Sequence, residues 1–237
     1  MSFVQRFTNY DVYERHTVVR ELLAGVLGTD AAATVLDVGG RRGLLAAYVP
    51  YAVTAVNPDG TGDQTIDGTT LPFGAGSFDA VVTIDTLEHV VPGERAAFLR
   101  MCDAVARRVL IVAAPFGSAE HSARERDLNE RYAAVFGAPH AYLAEHVANG
   151  LPTLDDLHAI VADLQPAAWR IVYAGDYRWQ ADAFERAMAA AHRPRWQAAA
   201  LNLYNQAAAS ALFHAVALRD TPDATANRFY LVVEKRR

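Results

Sequence analysis

Acidic, amide and imidazole side chains follow directly after three apolar runs of the sequence. The three groups are Asp37 with Gly39-Gly40-Arg41-Arg42-Gly43, Asn57 with Asp59, and Asp85-Thr86-Leu87-Glu88-His89. A glycine-rich turn exposes backbone groups to a ligand, and the start of the helix behind it adds partial positive charge. The carboxylate and imidazole groups are able to bind polar atoms of that ligand and to accept protons. An ordinary connection between a strand and a helix, which also uses glycine, is the alternative for the turn.

The elements that must position these groups follow from the spacing of the apolar residues. The pattern predicts helices over 10–27, 44–49 and 93–107, and strands over 34–38, 52–56, 78–84 and 109–113. Strands that alternate with helices pair in parallel through right-handed crossovers and form an open α/β sheet. Ligands of such sheets lie outside the carboxyl ends of the strands, so the three groups are expected to meet there.

Beyond Pro115 the pattern is richer in helices than simple crossovers require. Helices are predicted over 119–136, 153–164, 181–191 and 195–218, and strands over 169–174 and 228–234. Thr153 and Asp156 are spaced as a capping box. We therefore predict one domain over 1–237. Its core is about 30–115 with 168–175 and 226–236, and its helical cap or insertions are about 117–165 and 177–219.

Composition limits the class of protein. The 237 residues are 52% hydrophobic and 21% charged, which suffices for one large core. A formal net charge of −5 argues against nucleic acid as a partner. The single cysteine, Cys102, is predicted to be a core residue and fits a reducing cytoplasm. Without a secretory signal or a membrane-spanning run, the expected location is cytoplasmic, and a homo-oligomer is compatible with the sequence.

Four motifs occur in one order between Thr34 and Pro115. They are the glycine turn, Asp67-Gly68 leading to Leu71-Pro72-Phe73, the strand Ser77-Phe78-Asp79, and Leu87-Glu88-His89. In this combination the chain resembles class I S-adenosylmethionine-dependent methyltransferases, in particular the small-molecule, type 11-like branch. The resemblance implies S-adenosylmethionine as cofactor. It also implies a Rossmann-like, open, mostly parallel seven-stranded sheet with flanking helices and a helical cap.

The resemblance assigns roles to individual residues. It implies that Asp37, Gly39, Gly40 and Gly43 hold the methionine part of the cofactor, that Asn57 or Asp59 meets the ribose, that Asp67 and Gly68 meet the adenine, and that Asp85 and Thr86 lie near the methionine amine. Two positions depart from the family pattern. Arg41 stands where the family favours glycine, and Asn57 stands where it favours an acidic residue.

Methyl transfer to an aliphatic hydroxyl requires that its proton leave, so a base is sought near the strand ends. His89 is the first candidate, because an ordinary imidazole pKa of about 6.5 suits proton acceptance near neutrality. The alternative is that His89 bonds a loop carbonyl. His121, after the following strand, is a second candidate, and Arg124 is also placed to reach an acceptor. The histidine spacings match no paired metal motif, and neither Glu145 nor Asp127 completes a ligand set, so no metal is predicted.

Three functions remain open on the sequence. The first is methyl transfer to a small-molecule acceptor, most plausibly an oxygen of a sugar, glycan or secondary metabolite. The second is a methyltransferase-like scaffold that is non-catalytic or repurposed. The third is a nicotinamide-dependent oxidoreductase, for which Asp59 is suitably placed but the glycines do not match Gly-x-Gly-x-x-Gly.

Overall fold

A computed structural model describes residues 9–208 and 215–235. The predicted domain, 1–237, includes 1–8, 209–214 and 236–237, which lie outside the described residues, as does part of the predicted helix over 195–218. The described chain forms one sheet of six strands, in the order β2-β1-β3-β4-β6-β5. The strands are β1 Thr34–Val38, β2 Ala52–Val56, β3 Phe78–Ile84, β4 Ala106–Pro115, β5 Ala168–Asp176 and β6 Ala226–Glu234.

The first four strands are parallel to one another, and β6 is antiparallel to both of its neighbours. Val38, the last residue of β1, is level with Val56 at the end of β2 and with Thr83 near the end of β3. The three chain segments that leave these strands therefore start at the same edge of the sheet. This register places the polar groups of the sequence side by side.

The described residues form seven α-helices. They are α1 Tyr10–Leu27, α2 Arg95–Val105, α3 Ala119–Phe136, α4 Ala141–Asn149, α5 Leu154–Leu164, α6 Tyr177–Ala190 and α7 Arg195–Ala208. Apolar residues of α1 pack on one face of the sheet, and those of α2 and α5 pack on the other. Leu128, Ala181 and Met188 join α3 to α6 in a smaller cluster, against which Leu143 of α4 also packs. Both faces of the sheet are thus covered.

Several predicted elements are confirmed, and the structure differs from the prediction at three places. Thr153 and Asp156 form the predicted capping box of α5. The predicted helix over 44–49 is a 3₁₀ turn, Leu45–Ala47, because six residues before a proline are too few for a stable α-helix. Helix α4 was not predicted. Residues 215–218 are not helical, and Arg219 forms a bridge with Tyr173 at the sheet edge.

The sheet has six strands, where the resemblance implied seven. Beyond β2 the described chain makes only one parallel bridge, from Val56 to Gln64. The segment over 57–77 is rich in glycine and proline, which weaken or interrupt strand pairing. The open, mostly parallel α/β architecture is confirmed, with this edge left as a loop.

Two further features concern the core and the membrane. Cys102 is buried and unpaired, and burial raises the pKa of its thiol to about 12, so it is an unreactive core residue. None of the helices in the described part of the chain combines the length and the apolar character that a membrane crossing needs.

Candidate functional site

The ends of β1, β2 and β3 open into one cavity of about 1320 Å³. Side chains of α1, α3, α4 and α6, together with residues at the end of β4 and the start of β6, form the rest of its wall. Ten of the predicted site residues line it: Asp37, Gly39, Gly40, Gly43, Asn57, Asp59, Asp85, Thr86, His89 and His121. Asp67 and Gly68 are not among the lining residues. The Asp67 carboxylate instead accepts hydrogen bonds from the backbone amides of Thr69 and Thr70, at 2.8 and 2.9 Å, in an exposed turn.

The glycine turn packs closely on the side chains that follow the strands. Gly39 has a φ of 85°, and a Cβ there would lie 2.1 Å from Thr86 Oγ1. A Cβ on Gly40 would lie 2.0 Å from Asp37 Oδ2. A side chain at either position would displace Thr86 or Asp37, so the packing of the turn favours glycine at both. From the sequence, only the family resemblance accounted for a glycine at position 40. In the structure, the Asp37 carboxylate occupies the space that a side chain at this position would need.

The two departures from the family pattern have different surroundings. Asn57 Nδ2 donates to the carbonyl of Gly39 at 2.9 Å, and Asn57 Oδ1 accepts from the amide of Asp59 at 3.2 Å. The amide side chain therefore ties the end of β2 to the glycine turn, and a carboxylate has no proton to donate to that carbonyl. Arg41 is exposed at the rim of the cavity.

Asp37 presents an unpaired oxygen at the cavity. Its side chain is 1% exposed, and Oδ1 has no hydrogen-bond partner among the described residues. Burial raises the pKa of Asp37 to about 7, although the charge of Arg15 opposes the shift. A buried oxygen of this kind is suited to a ligand that donates protons, above all an ammonium group.

Asp85 is the centre of a network of charged groups between β3, β6 and α1. Its two oxygens accept from Nε and Nη2 of Arg228, each at 2.8 Å, and Arg15 also bonds Oδ2. Asp11 accepts from Arg15 and from Arg228, each at 3.2 Å. Burial by itself would raise the pKa of Asp85, but the charges of Arg228 and Arg15 outweigh it and hold the pKa well below the usual value.

The sequence did not identify either arginine. They lie 70 and 143 residues from Asp85 along the chain, and only the topology brings them to it. Asp85 itself has a φ of 51°, in the left-handed region, which aspartate tolerates better than most residues. The two arginines hold the Asp85 carboxylate from two different elements, α1 and β6.

A second polar group, formed by Glu88, His89 and His146 and termed the imidazole cluster below, lies where α4 meets the end of β3. His89 Nδ1 is 2.6 Å from Glu145 Oε2, and His146 Nδ1 is 3.1 Å from Glu125 Oε2. Glu88 is 1% exposed, and Oε2 has no partner among the described residues. Burial, helped by repulsion from the charge of Asp85, raises the pKa of Glu88 to about 8.

The sequence predicted His89 but not its surroundings. Glu145 and His146 both belong to α4, whose nine residues are too few to show a clear helical period in the sequence. His121 is separate. Its Nδ1 is 2.9 Å from the carbonyl of Phe116, and its ring stacks on Tyr177 at 4.6 Å. Burial lowers the pKa of His121, so its imidazole is a poorer proton acceptor than an exposed one.

Arg124 also lines the cavity, and acidic groups neutralise it. Its guanidinium bonds Asp127 at 2.8 Å and Glu185 at 3.0 Å. The guanidinium thus joins α3 to α6 across the wall of the cavity, and its charge is already paired.

A family model described as a methyltransferase domain matches residues 19–111, which include β1 to β3 and the glycine turn. No curated protein matches the sequence.

Three solved structures resemble the chain over nearly all of its length. A methyltransferase from Thermotoga maritima, described as a possible histamine N-methyltransferase, has a TM-score of 0.55 and 12% identity, with 96% of this chain and 100% of that chain covered. Magnesium protoporphyrin IX methyltransferase from Synechocystis has a TM-score of 0.51 and 14% identity, covering 100% and 89%. A putative sarcosine dimethylglycine methyltransferase from Galdieria sulphuraria has a TM-score of 0.53 and 13% identity, covering 94% and 84%. At these identities the likeness establishes the fold.

Proposed function

We propose that this chain is a class I S-adenosylmethionine-dependent methyltransferase that methylates an oxygen atom of a sugar, a glycan or a secondary metabolite. Its cofactor is S-adenosylmethionine, and its acceptor is a small molecule. One observation carries the proposal. A single cavity joins the glycine turn and Asp37 to the imidazole cluster, so a cofactor and a hydroxyl acceptor fit next to each other.

The residues at the strand ends fit the methionine part of the cofactor. When bound, the cofactor supplies a methyl group on a positively charged sulfur. Asp37 Oδ1, buried and unpaired, is placed to accept from its ammonium group, with Thr86 and the glycine turn beside it. Asp85 supports this pocket through its bonds to the two arginines. Asn57 and Asp59 line the neighbouring part of the cavity, where the ribose is expected.

The adenine end of the cofactor is assigned to the segment over 66–70. Asp67 and Gly68 remain the predicted contacts, and the structure places them outside the cavity wall. Gly68 has a φ of 81° and lies against Pro58, which does line the cavity. Contact with the adenine therefore requires the segment over 66–70 to approach the cavity when the cofactor binds.

The acceptor end is built from the imidazole cluster and aromatic side chains. Tyr142, Tyr177 and Phe184 line this part of the cavity and provide flat apolar surfaces. His89 is the proposed proton acceptor. Glu145 holds Nδ1, which leaves Nε2 for the hydroxyl proton, and the carboxylate then stabilises the charged imidazolium. His121 is a weaker candidate because Phe116 and Tyr177 hold its ring and burial lowers its pKa.

A methyl-transfer assay tests the proposal. Purified protein is incubated with S-adenosylmethionine and a panel of sugars, glycosides and phenols, and S-adenosylhomocysteine and the mass of the product are measured. We expect one class of hydroxyl compound to gain a methyl group. His89→Ala should slow turnover while leaving the affinity for S-adenosylhomocysteine unchanged. His158→Ala, an exposed position on α5 outside the cavity, is the matched control and should leave both unchanged.

The alternatives give different results in the same assay. A repurposed scaffold would methylate no member of the panel, whether it binds S-adenosylhomocysteine or binds neither that ligand nor a nicotinamide cofactor. A nicotinamide-dependent enzyme would bind NAD(H) or NADP(H) and ignore S-adenosylhomocysteine. Normal turnover of His89→Ala would remove His89 from the mechanism and leave His121 as the next residue to test.

A further inference from the structure

We propose that Glu88, His89 and His146 bind one divalent transition-metal ion at the acceptor end of the cavity. One ligand atom from each residue lies within 4.8 Å of the others, a separation that small side-chain rotations close around an ion. The set comprises two imidazole nitrogens and a carboxylate oxygen. Two histidines and one carboxylate are an established ligand set for zinc and for non-haem iron.

The second observation is how the two imidazoles are held. A carboxylate occupies Nδ1 of each ring: Glu145 for His89 at 2.6 Å, and Glu125 for His146 at 3.1 Å. A metal-binding histidine typically donates its second nitrogen to a carboxylate in this way, which fixes the tautomer and directs Nε2 at the ion. His146 Nε2 is buried and has no partner among the described residues.

The surroundings of Glu88, the third proposed ligand, also favour a metal site. Glu88 is almost fully buried, and its Oε2 faces no hydrogen-bond donor in the described part of the chain. An unpaired carboxylate oxygen in the interior is costly, and an ion next to it would remove the cost. Glu88 Oε2 and His146 Nε2, both buried and without a partner among the described residues, thus belong to side chains of one cluster.

The site is also preorganised. Asn149 Nδ2 donates to the carbonyls of Glu88 and His89, at 3.2 and 3.1 Å. Arg95 bonds the carbonyls of Val90 and Asn149, at 3.2 and 3.3 Å. These bonds fix α4, which carries His146, against the turn that carries the other two ligands. The sequence predicted no metal because this contact joins residues that are far apart along the chain.

The donor atoms favour some ions over others. Imidazole nitrogen suits zinc, iron, cobalt and nickel, whereas Mg²⁺ prefers oxygen ligands and keeps its water. Three protein ligands leave further coordination positions for an acceptor, as in catalytic metal sites. This use of the ion rests on the proposed function. An acceptor with two adjacent oxygens, such as a vicinal diol or a catechol, would fill two of these positions.

The ion changes what His89 does. A nitrogen that binds a metal has no lone pair left for a proton, so in the loaded site His89 is a ligand. Activation of the acceptor then passes to the ion, which lowers the pKa of a hydroxyl that it binds. The released proton goes to solvent or to a neighbouring carboxylate.

The test uses full-length protein freed of metal with a chelator. Calorimetric titration with Zn²⁺ and with Mg²⁺, and optical titration with Co²⁺, should show one ion per chain, with Zn²⁺ bound more tightly than Mg²⁺. Glu88→Gln and His146→Ala should each weaken Zn²⁺ binding at least about tenfold. His158→Ala, with the same loss of an imidazole at an exposed position, should leave it unchanged. Circular dichroism checks that each variant is folded.

Absence of stoichiometric binding would overturn the proposal, and so would equal Zn²⁺ affinity in the parent and in Glu88→Gln. S-adenosylhomocysteine binding is measured on the same metal-free samples. Cofactor binding without metal binding would refute the metal site alone, whereas metal binding without cofactor binding would refute the proposed function alone. Transfer that is unaffected by the chelator would refute the role of the ion in the reaction.

Discussion

Asp85→Asn isolates the charge at the centre of the arginine network. Asparagine has nearly the same size as aspartate and also tolerates the left-handed backbone found at this position. The substitution removes the negative charge and leaves Arg228, whose side chain is 3% exposed, with Asp11 as its one ion-pair partner among the described residues. Any loss of stability therefore reports the charge and not a change of backbone or volume.

The magnitude follows from burial. Removing one partner of a buried ion pair costs about 3–5 kcal/mol, because the remaining charge stays in the interior without compensation. For a chain of this size, 1 kcal/mol corresponds to about 2–4 °C in melting temperature. We expect Asp85→Asn to lower the free energy of unfolding by about 3–5 kcal/mol and the melting temperature by roughly 6–20 °C.

The assay is urea denaturation of the parent and of two variants. Asp163→Asn is the matched control, because Asp163 bonds Arg100 at 2.6 Å but both side chains are at least 40% exposed. An exposed pair is worth only about 0–1 kcal/mol. Equal losses in the two variants, or a loss below about 1 kcal/mol for Asp85→Asn, would refute the reasoning that the network is buried and coupled.

The ion pairing of Asp85 also predicts how the stability of the protein depends on pH. The folded-state pKa of Asp85 is lowered, so its stabilising contribution is fully present above the unfolded pKa of about 4 and is lost as the pH falls below it. The difference in stability between parent and variant should therefore be constant from pH 6 to 8 and shrink in acid. A difference that persists undiminished at pH 2.5 would contradict the assigned direction.

Two further predictions concern the glycine turn and its aspartate. Gly40→Ala should weaken S-adenosylhomocysteine binding, because its Cβ would displace the Asp37 carboxylate, whereas Gly25→Ala, in open space on α1, should stabilise the protein by about 1 kcal/mol. Burial raises the folded pKa of Asp37 to about 7, so stability should fall as pH rises from about 4 to 7 on account of this group. An ammonium ligand favours the carboxylate, so binding near pH 6 should release a proton, seen by calorimetry in buffers of different ionisation enthalpy. Asp37→Asn should abolish that release, and unchanged release would exclude this residue.

Much of the fold was predictable because its strands are short, apolar and rich in β-branched residues. Runs such as 109–113 are buried on both faces of a parallel sheet and bear a clear signal. The position of the ligand cavity followed from the sheet class, since the carboxyl ends of parallel strands share one edge. Asp37 and Asp85 were identified on that ground together with the resemblance.

The remainder of the site depends on contacts between distant segments. Arg228 reaches Asp85 because β6 lies between β4 and β5, an order that no local pattern reveals. Helix α4 has only nine residues, too short a run for its period to be recognised in the sequence, yet it brings His146 to Glu88. Asp67 illustrates the opposite case. Its motif was recognised, but its carboxylate caps a turn outside the cavity.

The most direct test of the account is calorimetric titration of the purified protein with S-adenosylhomocysteine, with NADH as the comparison ligand. The account predicts one site per chain with a micromolar dissociation constant, about −8 kcal/mol, and no binding of NADH. It also predicts an affinity at least about tenfold lower in Asp37→Asn, since the charged hydrogen bond to the buried oxygen is lost. No binding by folded protein, or equal affinity in the variant, would contradict the assignment of this cavity to the cofactor.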